Sequence, residues 1–171
     1  MQTRTKLLVA FAVTMAAVAA CESSTEIDSN LRFAGVLNGA KEKPTAVTTT
    51  ATGQALVVVN SAGTLSYSVT WTGLTGAPTG AHIHGPADSN STAGVLINFT
   101  ALPAGSFQAS PSVMTAAGSS SGNVNVKSTA VILPTVSGDS LVKLLNAGLL
   151  YVNVHTAANA AGEIRTQLKK Q

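Results

Sequence analysis

The sequence is short of most residue types that carry chemistry. A single cysteine, Cys21, rules out an internal disulfide, so packing alone must hold the fold in an oxidising compartment. Aromatic residues are 4% of the chain, which argues against a sugar-binding surface built on ring stacking. Charged residues are only 10%. With Arg4 and Lys6 set aside, eight Lys and Arg face seven Asp and Glu, a formal net charge of +1. No basic face is clustered, so nucleic acid is not an expected partner. There is no Gly-x-Ser-x-Gly elbow, no free thiol nucleophile and no carboxylate pair flanking a plausible cleft. Asp88, in the loop after HIHGPA, reads as a turn residue. The chain is therefore not expected to be an enzyme.

A long hydrophobic run is missing too. The apolar stretch at residues 7–20, preceded by Arg4 and Lys6, has the form of an export signal and is too short for a convincing membrane span. Its end, Val18-Ala19-Ala20-Cys21, resembles a bacterial lipobox, in which the cysteine thiol receives diacylglycerol and the new amino end an acyl chain such as palmitate. An ordinary secretion signal cleaved after an Ala-x-Ala-like site is the other reading. The expected division is a signal peptide at 1–20, a lipidated end and flexible tether at 21–30, and one domain at 31–171. Buried methylenes contribute about 0.8 kcal/mol each, so several acyl chains would anchor the protein to a membrane of the cell envelope. Glu22, in place of an aspartate that retains lipoproteins at the inner membrane of enteric bacteria, favours the outer membrane in a Gram-negative source.

What remains reads as β-structure. Strands are expected at 31–37, 53–60, 64–71, 80–84, 94–100, 123–131, 149–156 and 162–168. In the third of these, Leu65, Tyr67, Val69 and Trp71 alternate with Thr64, Ser66, Ser68 and Thr70, giving one apolar and one polar face. A short helix is expected near 139–147, with Leu141, Leu144 and Leu145 on one stripe and Gly148 after its end. Many short strands with close turn signals point to an all-β antiparallel sandwich or barrel.

The three histidines are concentrated in two of these strands. In GAHIHGPA, His82 and His84 share a strand face, about 6.5 Å apart along the chain, and Ala81 and Ile83 share the other. In YVNVHT, Tyr151, Asn153 and His155 share a face opposite Val152 and Val154. If the two strands are neighbours, His82, His84 and His155 form a candidate site for one copper or zinc ion. In GEIRTQL, Glu163, Arg165 and Gln167 share a face. Paired with the preceding strand, Glu163 and Arg165 would lie near His155 and, with Asn153, orient an imidazole from behind. The same residues also suit a purely structural network pinning two strands together.

GAHIHGPA, GVLINF and YVNVHTAANAAGEIRTQL, with the opening LRFAGVLNGAKEKPTAVTTTATGQALVVVN, resemble the CHRD domain, named for chordin and found in many bacterial secreted proteins. The resemblance runs from about Leu31 to Leu168, with Thr166 standing where the family usually has glycine after the arginine. It implies an immunoglobulin-like β-sandwich distantly similar to Cu,Zn superoxide dismutases. Three histidines cannot build a two-metal dismutase site, but one copper or zinc ion remains compatible, copper being favoured for an exposed all-imidazole site outside the cytoplasm. The resulting expectation is a lipid-anchored, non-catalytic module that binds an envelope or protein partner. The alternative is a single-site copper or zinc protein.

Overall fold

The computed structural model describes residues 30–61, 64–99, 107–108, 116–125 and 138–171. Cys21, the signal segment and the tether up to residue 29 lie outside the described residues, as do residues 126–131 of the strand expected at 123–131. The described chain forms β1 (Leu31–Asn38), β2 (Thr52–Val59), β3 (Thr64–Leu74), β4 (Pro78–His84), β5 (Val95–Asn98), β6 (Phe107–Gln108) and β7 (Ala116–Asn125). These are followed by α1 (Gly138–Asn146), β8 (Tyr151–Thr156), β9 (Ile164–Gln167) and β10 (Lys169–Lys170).

All pairings are antiparallel, in the order β5-β4-β8-β9-β1-β2-β3-β7-β6, with β10 also on β1. The alternation read from β3 is realised: Leu65, Tyr67, Val69 and Trp71 are buried, while their neighbours face outward. β2 follows suit through Ala55, Val57 and Val59, and β1 through Phe33 and Leu37. Burial of each such large apolar side chain contributes about 1.5–3 kcal/mol, which makes this face the core.

The sheet curls on itself. Phe99, just past the β5 edge, stacks on Tyr67 of β3 with ring centroids 4.0 Å apart, although β4, β8, β9, β1 and β2 lie between the two strands. Leu96 and Ile97 are both buried because the β4–β5 register slips between Ile83 and His84, a bulge that breaks strict alternation. The helix sits one residue earlier than expected and packs Leu141 and Leu145 into the core. Its end is closed by the Gly148 N–H donating to the Leu145 carbonyl and the Leu149 N–H to that of Leu144, with Gly148 at φ 67°. That conformation suits glycine and completes a Schellman cap.

Candidate metal centre

β4 and β8 are adjacent, and their register sets the site. Gly80 lies opposite His155, His82 opposite Asn153, and His84 opposite Tyr151. Ala81, Ile83, Val152 and Val154 point to the core, so both apolar stripes are covered by the curled sheet and the imidazoles stand on its outer face. One potential ligand atom from each of His82, His84 and His155 can be chosen so that all lie within 4.8 Å of one another.

The hydrogen bonds define which ring atoms are available. His155 Nδ1 lies 3.0 Å from the Ala160 carbonyl and His84 Nδ1 3.0 Å from that of Ala93. A carbonyl only accepts, so both Nδ1 atoms carry hydrogen and Nε2 is left as the donor atom for an ion. His82 Nδ1 lies 3.0 Å from His155 Nε2, and with the latter unprotonated, His82 Nδ1–H donates to it. His84 Nε2 meets Asn153 Oδ1 at 2.9 Å. A neutral His84 needs Asn153 to present its amide nitrogen there instead, since His84 then has no second hydrogen to donate. Burial, followed by the neighbouring His155 and His84, pushes His82 down to about 4. Burial also lowers His84 and His155. All three imidazoles are thereby held neutral near pH 7, the form that binds metal.

Gly80 makes the close approach of the rings feasible. A Cβ at that position would stand 3.1 Å from His82 Cε1 and 3.9 Å from His155 Cδ2. Sequence reasoning passed over it, although a glycine on the same strand face two residues before His82 is the signal for such an approach.

One end of the site is roofed by the segment following β4. The Arg165 Nη2 donates to the carbonyls of Asp88 and Ser91 at 3.0 and 2.8 Å, and Gln167 Nε2 to that of Ala87 at 2.7 Å. Tyr151 exchanges its hydroxyl with the backbone of Ala93. Its ring lies parallel to that of His84, 4.8 Å away, and the Arg165 guanidinium sits 3.5 Å from its centroid. His84, Asn153 and Arg165 are all buried in consequence.

The expected Arg–Glu–His cluster does not form. Asn153 does reach a histidine, but Glu163 turns to Thr156 and Thr75, bonding both hydroxyls at 2.7 Å, and to Thr49 at 2.9 Å. The physical reason is the turn between β8 and β9, whose Ala160 carbonyl takes the place beside His155. Burial works against the Glu163 charge, yet the Thr156 and Thr75 hydroxyls and the Thr75 N–H hold its carboxyl below the ordinary value. Glu42 was missed altogether. In AKEKP it reads as a solvated turn residue, but it is buried against Gly162 and the Asn153 amide, where an added Cβ on Gly162 would meet both. Burial raises its carboxyl to about 7, against the lowering effect of the Arg165 charge and the Lys43 N–H.

A protein-family model described as the CHRD domain matches residues 33–168. No curated protein and no solved structure matches the chain. Among the described residues, no helix is long and apolar enough to cross a membrane.

Proposed function

The chain belongs to the CHRD domain family, and on that premise we propose that it is a non-catalytic binding module of the cell envelope, tethered through Cys21, that holds one copper or zinc ion on His82, His84 and His155. The observation that carries the metal reading is the convergence of three imidazoles from two strands, each with a ligand atom within 4.8 Å of the others. The donor set fits such an ion: two of the rings are held from behind by main-chain carbonyls, the arrangement that orients a metal-bound histidine. Coordination would replace the hydrogen bond between His82 and His155 and the contact of His84 with Asn153, each ring keeping one N–H on the nitrogen turned away from the ion. A bound divalent ion supplies a Lewis-acidic point to which an anionic or carbonyl group of a partner attaches.

A second reading has its own support. His84 is engaged at both nitrogens and buried, which suits a structural network. Titration of the purified full chain with Cu(II) and Zn(II) separates the two. Metal binding requires a dissociation constant below about micromolar for one of the ions, weakened about a hundredfold in His155→Ala with the fold intact. Failure of the wild type to bind either ion leaves the network. For the tether, Cys21→Ser is expected to release the protein from membranes. Continued membrane association of the wild type without incorporation of labelled lipid would discard it.

A further inference from the structure

The ladder between β1 and β9 is thin. Asn38 pairs with Arg165, and β1 is next joined from this side by Lys169 and Lys170 of β10 at Ala34 and Phe33. Between these points the register is unbroken but no bridge forms, and a pocket of about 470 Å³ opens beside the seam. Its walls include Lys41 and Lys43 from the turn after β1, Arg165 from β9, Lys169 from β10, and Ser89 from the roof over the histidines. For a chain with ten Lys and Arg in all, four in one wall is a strong local concentration. Among the described residues, no carboxylate lines it. Two acids act on Arg165 from nearby: Asp88, which bonds the Asn90 N–H and the Ser91 hydroxyl within its own turn, and Glu42, which is buried against Gly162 and keeps its proton up to about pH 7.

A second, independent feature lies in the wall itself. Arg165 is 1% exposed, and although Nη2 is shared between two carbonyls, Nη1 is buried without a hydrogen-bond partner. An orphaned buried guanidinium N–H is costly, and an acceptor reaching it through small side-chain movement would remove that cost. Lys41 is steadied across the rim by donating to the Val36 carbonyl, which leaves two of its ammonium hydrogens for a ligand. Thr166 belongs to the same wall, and its hydroxyl fills the space that a Cβ on Gly35 would need. The pair Gly35 and Thr166 therefore closes the floor of the pocket by bringing the two strands close together.

We propose that this pocket is an anion site for a phosphate-bearing ligand, with Lys41, Lys43, Arg165 and Lys169 supplying charge and donors. Four cations, opposed only by Asp88 and the largely protonated Glu42 near Arg165, favour a multiply charged group over a single carboxylate. The pocket is also larger than a bare phosphate ion requires, so it admits the group to which the phosphate is attached. This inference is independent of whether the histidines hold metal.

The test uses the full chain in neutral detergent, with inorganic phosphate and, separately, vesicles containing phosphatidic acid or only phosphatidylcholine. Phosphate is expected to shift the amide resonances of Lys43, Ser89 and Thr166, with a dissociation constant at or below about millimolar. Lys43→Gln combined with Lys169→Gln should weaken binding about tenfold, while Lys143→Gln on the helix leaves it unchanged. Lys169 and Lys143 are exposed and Lys43 half-buried, whereas Arg165 is fully buried, so the lysine changes carry less folding risk than replacing Arg165. Response to phosphate identifies a soluble ligand, and response only to phosphatidic acid vesicles identifies a lipid headgroup. Either supports the site, provided that the double variant loses it. No response to either probe, or a double variant that binds as well as the wild type, overturns the proposal.

Discussion

The two ends of the histidine face are built differently. At the closed end, under the segment following β4, His84 is 7% exposed and every polar contact is to a fixed partner: the Ala93 carbonyl, Asn153, and the ring of Tyr151. At the open end, His82 and His155 are only partly buried and bond to each other over Gly80. The same residue type thus does two jobs on one strand pair. A fully bonded imidazole contributes to holding a roof in place, whereas the two at the open end are held to each other by a single hydrogen bond.

The largest way to break this contrast is at the anchor of the closed end. Arg165→Leu removes two charge-assisted hydrogen bonds and the contact with Tyr151, leaving the Asp88 and Ser91 carbonyls without their donor. A loss of about 3–5 kcal/mol in denaturant unfolding is expected. A loss below about 1 kcal/mol would mean that the roof is held by something else.

A smaller effect sharpens it. His84→Ala should cost about 2–3 kcal/mol, through two hydrogen bonds and a stacked ring, while His155→Ala should cost about 1 kcal/mol. Equal losses in the same unfolding measurement would erase the distinction between the ends.

The smallest effect is in pH. An unfolded imidazole takes up a proton near pH 6.5. His82 in the fold resists until about 4, chiefly because it is buried and then because of its two imidazole neighbours. A depressed folded value means that the unfolded chain binds the extra proton, so the histidine contribution to stability falls as pH drops from about 6.5 toward 4 and is constant above that range. Glu42 acts in the opposite direction. Its raised value lets the fold keep a proton that the unfolded chain releases, so its contribution falls as pH rises from 4.5 to about 7. An NMR titration of the His82 ring with a midpoint near 6.5 would contradict the first statement.

Much of the fold was legible because its strands obey period two and one side of the sheet must be apolar. Leu65 through Trp71 announced their own face, and Ala81 and Ile83 did the same beside the histidines. Convergence of the imidazoles followed from adjacency of β4 and β8 together with those faces. What could not be read depended on how the sheet curls and where loops return. The bulge that buries both Leu96 and Ile97 has no local signature. Glu163 was expected beside His155, but hydroxyls brought from the distant positions 49 and 75 hold it elsewhere. Glu42, flanked by lysines, gave no hint of an interior position, because only the return of Gly162 over it makes that position interior. Thr166 looked like a minor departure from a family pattern, and its meaning depends on Gly35 across the seam.

The backbone N–H of Gln171 donates to the carbonyl of Arg32, so the start of the first strand and the end of the last sit at one pole of the molecule. Asn30, at the head of that first strand, therefore lies on the same side of the fold as Lys169 and Lys170. A fluorescent label attached at position 171 would therefore also report on the surroundings of Asn30 and Arg32.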